Sequence, residues 1–286
     1  MTSAFDTEWT CFAATLEGQV AHIKLNRPEA FNSMNRAFWS ELPAIVRDID
    51  DNARARAIVI SSTGKHFSAG MDLQNFAGVG GDGGARGGDQ AASGEASRRR
   101  LRSLQAAFSC LDEARMPVIA AIQGGCVGGG VDLTSACDIR YASTDAFFCI
   151  QEINIGMTAD VGTFPRLCRL IPQGWVRELA YTGRRLPAEK AREIGLVNEV
   201  LTDHDAVVAH ALATANQIAS KSPLAVAGSK VMINYAREHD TAAALDYIGV
   251  WQAGMHAGSN VAESFKAKQE GRDPRFADLL PIRRGI

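Results

Sequence analysis

Two short apolar runs, Ala57-Ile58-Val59-Ile60 and Pro117 to Ile122, each pass directly into a glycine-containing turn and then into a polar or helical segment. Such runs, bounded by turn signals, read as buried strands. Upstream, Cys11 to Leu16 and Gln19 to Leu25 flank the Glu17-Gly18 turn as a hairpin. A helix is expected from about Asn35 to Asp50, where Phe38, Leu42, Ile45, Val46 and Ile49 recur at helical spacing. Pro43 is the awkward residue in that helix, a source of a kink or of a later start. Further short strands are expected at Asp138 to Tyr141 and Ala146 to Ile150, and everything from about Pro187 onward reads as helical except Val197 to Leu201. The order is α/β first and mostly α afterwards.

With 286 residues, 46% of them hydrophobic, the chain is long enough to bury a substantial core. A net charge of -2, from 30 basic and 32 acidic residues, gives no electrostatic reason to expect a nucleic-acid partner or an anionic membrane surface. No apolar run approaches the roughly 20 residues that span a bilayer. The first residues show neither a secretory nor a transit pattern, and Arg283 to Ile286 spell no peroxisomal address. Cys11, Cys110, Cys126, Cys137, Cys149 and Cys168 are irregularly spaced among apolar residues and read as reduced core residues. The expectation is a soluble cytoplasmic protein. The segment from Phe76 to Ser97, with eight glycines, is expected to be a surface loop; without a following Lys-Ser/Thr it is no phosphate-binding loop.

Three segments carry chemistry. Gly124-Gly125-Cys126-Val127-Gly128-Gly129-Gly130-Val131-Asp132 follows the strand ending at Ile122 and opens a short helix, Val131 to Cys137. Free amide hydrogens at a helix start can hold negative charge on an oxygen, and consecutive glycines let a ligand reach them. A tight strand-to-helix turn with no chemistry is the plainer reading. Lys65-His66-Phe67-Ser68-Ala69-Gly70-Met71-Asp72-Leu73 also follows a buried strand, and two such turns are what a pair of converging donors needs. His66 is a lone turn histidine, more simply structural than a base. In the third segment Glu152 and Asp160 stand within a largely uncharged stretch. They either pair with arginines such as Arg140 and Arg166 or sit in a dry pocket for proton transfer.

Read in order, Leu25-Asn26-Arg27-Pro28, Ser68-Ala69-Gly70-Met71-Asp72-Leu73, Gly128-Gly129-Gly130, Ala136-Cys137-Asp138-Ile139 and Gly195-Leu196-Val197 resemble the crotonase (enoyl-CoA hydratase/isomerase) superfamily from about residue 10 to 270. The resemblance implies an α/β fold, a spiral of ββα turns over residues 1–200 holding the coenzyme A thioester site. It also implies a helical C-terminal region, 201–286, that closes the acyl site and assembles a homotrimer or a dimer of trimers. Residues 128 to 133, 137 to 141, 145 to 148 and 159 to 163, with Ser220-Lys221-Ser222-Pro223, are most similar to the dienoyl-CoA isomerase branch. That branch carries three acids, matched here by Asp132, Glu152 and Asp160; a hydratase usually has glutamate at 132 and no carboxylate at 160.

The reaction so implied belongs to fatty acid β-oxidation: a 3,5-dienoyl thioester loses an α proton, and the conjugated enolate regains one at the ε carbon to give the 2,4-diene. Glu152 would serve the α carbon and Asp160 the ε carbon, with Asp132 biasing Glu152; two carboxyls do this if one is ionised and the other protonated. Backbone N–H groups of Met71 and Gly129 match the family's oxyanion hole, and Ala69, Gly70, Met71, Asp72, Leu73 and Gly129 its substrate-binding edge. Arg27 matches a phosphate contact, although Glu29 is acidic where a lysine is often found. The arginines Arg98, Arg99, Arg100 and Arg102 either meet phosphates or solvate one helix face. No metal and no cofactor is expected, coenzyme A being part of the substrate. The rivals are an enoyl-CoA hydratase, in which Asp132 and Glu152 position water, and a silent scaffold that binds acyl-CoA or RNA.

Overall fold

The computed structural model describes residues 3–72 and 89–283. Leu73 and the glycine-rich stretch as far as residue 88 lie outside the described residues. The hairpin is present as β1 (Phe12–Glu17) and β2 (Val20–Leu25), turned at Gly18 in the left-handed region. The first helix, α1, spans Phe38–Asp51 and buries the expected apolar stripe together with Pro43. It starts later than Asn35 because that side chain turns back, accepting from the Ala37 and Phe38 amides through Oδ1.

The main sheet continues with β3 (Ala57–Ser62), β4 (Val118–Ile122), β6 (Ile139–Ser143) and β9 (Glu199–Leu201), in the order β1-β2-β3-β4-β6-β9; only the β1/β2 pair is antiparallel. A smaller sheet holds β5 (Gly125–Val127), β7 (Phe147–Cys149) and β8 (Leu186–Pro187).

Alternation along the central strands divides the interior. Ala57, Val59, Ile119, Ala121 and Tyr141 face α7 (His204–Ala219), which answers with Val207, Ala211, Ala215 and Ala219. Ile58, Ile60, Val118, Ala120 and Ile122 face the larger core, with Ile45, Ile49, Phe67 and Phe108. Strands covered on both faces lose the polar alternation of a half-exposed sheet, which is why these runs are apolar throughout.

The glycine-rich loop does not reach Ser97, because α2 runs from Gln90 to Glu113 with Gly94 inside it. Asp89 caps that helix by accepting from the Ala91 amide, and neighbouring alanines and glutamate supply the helix preference that one glycine lowers by only about 1 kcal/mol. Arg98, Arg99, Arg100 and Arg102 are exposed on α2, with Arg99 paired to Glu95 one turn back. Five cysteines are buried as expected, but Cys168 is on the surface. Among the described residues no helix is long and apolar enough to cross a membrane.

Candidate active site

The turn after β3 and the turn after β4 lie side by side. Ser68 bridges to Cys126, its amide donating to Gly125 O and its carbonyl accepting from Val127. Met34 bridges to Met71 through its neighbours: the Met34 amide donates to Gly70 O, and the Asp72 amide donates to Met34 O. In such a parallel bridge the central residue's own N–H points away from the partner strand. The Met71 amide therefore faces the other side, where α3 (Gly129–Ser135) begins. A Cβ on Gly129 would stand 3.7 Å from Met71 N, and one on Gly70 only 3.1 Å from Gly129 N. Met34, fully buried, packs against the same side of Gly129, where an added Cβ would meet its sulfur at 2.8 Å. Two small-residue turns thus bring two backbone donors to one place.

The acids enter from two elements. Asp132 sits in the first turn of α3 and is wholly buried; Glu152 lies in a 3-10 turn over Gln151–Ile155, tied to Gly128 by the Gly128 amide donating to Cys149 O. Glu152 Oε1 would be 3.1 Å from a Cβ on Gly128, a tight approach at a position whose φ of 52° already favours glycine. Asp132 Oδ1 accepts from both the Thr163 amide, at 2.6 Å, and the Thr163 hydroxyl, at 2.7 Å. Among the described residues Asp132 Oδ2 and Glu152 Oε2 are buried with no hydrogen-bond partner. Unsatisfied buried carboxylate oxygens are costly, and their persistence points to use rather than to packing.

Burial pushes Asp132 up to about 7, the charge of Glu152 adding to the rise and the Thr163 hydrogen bonds opposing it. Glu152 is also raised, first by burial and then by Asp160. Asp160 is exposed as a residue, yet partial burial of its carboxyl raises it too, while Gln105 donates to its carbonyl. Three carboxyls all raised by burial can divide into ionised and protonated members.

Neither arginine proposed as a structural partner pairs with these acids. Arg140 donates to the carbonyls of Leu196, Thr134 and Cys137, and Arg166 pairs with Asp112 and Ser109. His66 accepts from the Gly125 amide through Nδ1 at 2.9 Å and stands between the rings of Phe31 and Phe147, which is a structural role. Arg27 is turned inward, donating to Ser33 O and lying 3.6 Å from Asp72. Ala69 is exposed on the edge and donates to Phe31 O.

The chain matches the family described as enoyl-CoA hydratase/isomerase over residues 15–279. It is 43% identical to the mitochondrial Delta(3,5)-Delta(2,4)-dienoyl-CoA isomerase of Mus musculus, covering 90% of this chain and 78% of that one. The chain belongs to the enoyl-CoA hydratase/isomerase family. Within it, the peroxisomal Delta(3,5)-Delta(2,4)-dienoyl-CoA isomerase of Arabidopsis thaliana is 38% identical, over 92% of this chain and 94% of that one. The crystal structure of an enoyl-CoA hydratase from Bacillus anthracis superposes with a TM-score of 0.81 at 30% identity, covering 96% and 100% of the two chains.

Among the residues that support the site, sequence reasoning missed Thr163, Met34 and Asn32. Thr163 stood at the end of a quoted motif with nothing to say what it touched. Asn32 is buried and donates to Thr63 O and His66 O, which fixes the turn leading to Gly70. Lone polar or sulfur-containing residues carry no periodic signal, so only the folded chain reveals these supports.

Proposed function

We propose that the chain is a dienoyl-CoA isomerase, converting a 3,5-dienoyl-CoA to the 2,4-dienoyl-CoA in fatty acid β-oxidation. The observation that carries this reading is the trio Asp132, Glu152 and Asp160, none engaged by an arginine among the described residues and two with a buried free oxygen. The isomerase names of the relatives similar over most of the chain support it.

In this mechanism Glu152, ionised, takes the α proton; the electron pair left behind forms an enolate with its charge on the thioester oxygen, conjugated through both double bonds to the ε carbon. The Met71 and Gly129 N–H groups hold that oxygen as it gains charge; one such donor contributes roughly 3 to 4 kcal/mol in other enzymes. Asp160, protonated, returns a proton at the ε carbon. The cycle closes when Glu152 releases its proton and Asp160 regains one, for which an exposed residue is well placed. Asp132 biases Glu152 through its charge. No cofactor enters this proton balance beyond the coenzyme A of the substrate.

Ala69, Gly70, Met71, Asp72 and Gly129 form the edge along which the thioester lies. Arg27 reaches a phosphate only by loosening from Asp72, so its contact is the weakest of the assignments. We propose that the helical region from 201 onward assembles trimers or dimers of trimers, for which exposed Leu245, Val250 and Phe265 supply apolar surface. A cytoplasmic location is proposed from the unpaired cysteines; the mitochondrial and peroxisomal labels belong to the relatives. Supplying purified protein with a 3,5-dienoyl-CoA and, separately, a 2-enoyl-CoA tests the reaction. Conversion of the diene without hydration of the enoyl thioester supports the isomerase, and the reverse supports the hydratase.

A further inference from the structure

Thr163 is 1% exposed, the first residue of α4 (Thr163–Leu170), and follows Gly162, which has no side chain to cap the helix start. The missing cap comes from another helix. Asp132, 31 residues earlier on α3, accepts the Thr163 amide and hydroxyl on the same oxygen, Oδ1. Oδ2 is left buried and without a partner. Two donors on one oxygen decide which oxygen remains available, and an anion at the start of a helix is favoured by the helix dipole as well.

We propose that Thr163 is a positioning residue of the reaction: it locks Oδ1 of Asp132, presents Oδ2 beside Glu152, and keeps Asp132 an acceptor rather than a donor. Its place also sets spacing, since only Val161 and Gly162 separate it from Asp160. Anchoring Thr163 to α3 therefore anchors the segment that carries the third acid to the helix whose first amide faces Met71.

The charged groups facing Asp132 are Glu152 from the 3-10 turn and Arg166 from α4, and the thiol of Cys126 faces it from β5. Arg166 is held by Asp112 and Cys126 is pushed by burial to about 12, so Glu152, raised by burial, is the neighbour whose charge changes. Removing the Thr163 hydroxyl takes away a bond that favours the Asp132 carboxylate, so Asp132 holds its proton to higher pH. A neutral Asp132 no longer repels charge on Glu152, which then ionises at lower pH.

The test is a carbon-13 NMR titration of side-chain-labelled aspartates, with Asp132 assigned by Asp132→Asn, together with kcat/KM against pH. Thr163→Val is expected to move the Asp132 titration upward by about one to two pH units, a hydrogen bond to a charged group being of that size. It is also expected to move the acidic limb of the rate profile downward. Thr163→Ser, which keeps both donors, is expected to restore both. Should Thr163→Val fail to fold, Thr163→Ala removes the same hydroxyl without crowding. An Asp132 titration unchanged without the hydroxyl, or shifted equally by serine, overturns the proposal. The kinetic arm rests on the isomerase reading; the NMR arm does not, so the two can fail separately.

Discussion

Gly70 and Gly129 meet edge to edge: a Cβ at Gly70 would stand 3.1 Å from the Gly129 amide nitrogen and 2.6 Å from the carbonyl oxygen of Val127. Gly70 also has φ of 84°, where a side chain is strained. Gly70→Ala must therefore push the Met71 amide away from Gly129. A fall in kcat/KM on the order of 10²-fold is expected, with a loss of about 1–2 kcal/mol in stability. Steady-state kinetics beside thermal unfolding check it, and unchanged kcat would remove these amides from the mechanism.

Asp132 makes stability depend on pH. Its folded-state pKa lies near 7, above the ordinary carboxylate range, so the folded chain binds more protons than the unfolded one between about pH 4 and 7. Stability from this group is present at low pH and lost as pH rises through 7. Asp132→Asn keeps an acceptor for Thr163 and carries no charge. It is expected to unfold at higher temperature than wild type at pH 8, by an amount on the order of a few kcal/mol in stability, and to lose that advantage near pH 5. Melting curves at the two pH values measure this.

Arg140 is 5% exposed and its guanidinium serves three carbonyls, including Thr134 O and Cys137 O at the end of α3. Arg140→Met takes the guanidinium from Leu196 O and Cys137 O, while Thr134 O keeps the Cys137 amide. A destabilisation of roughly 2–4 kcal/mol is expected from urea unfolding, since each orphaned group costs about 1–3 kcal/mol. A neutral result would mean that the end of α3 tolerates the loss by rearranging.

The C-terminal helices α9 (Thr241–Met255) and α10 (Gly258–Glu270) expose Leu245 at 62% and Phe265 at 68%. Exposed large apolar groups on neighbouring helices mark association surfaces. Light scattering is expected to give a mass of three or six chains, and a doubly substituted Leu245→Glu, Phe265→Glu protein a smaller one. A wild-type monomer at micromolar concentration would contradict the assembly proposal.

Much of the site was legible because its parts are local. Glycines and small residues directly after buried strands announced the two turns, and charges inside an apolar stretch announced Glu152 and Asp160. What was not legible is tertiary. Thr163 reaches Asp132 across 31 residues, and Asn32 holds the turn at Thr63 to His66 from beyond the hairpin. The partners of Arg140 and Arg166 were equally hidden, since a guanidinium satisfies carbonyls as readily as it pairs with a carboxylate. Gly94 carried the expected loop too far for the opposite reason: it counts with the seven glycines before it by composition, but the cap at Asp89 sets it inside a helix.

The division of labour between Glu152 and Asp160 is tested most directly by Asp160→Asn. Purified wild-type and variant proteins are mixed with a synthetic 3,5-dienoyl-CoA, and the absorbance of the conjugated 2,4-dienoyl-CoA product is followed, with 2-enoyl-CoA hydration as control. Rapid conversion by wild type and a loss of at least about 10²-fold in the variant are expected, the size of a positioned proton donor's contribution. Full activity in Asp160→Asn, or a wild type that hydrates the enoyl thioester and ignores the diene, would contradict the proposed mechanism.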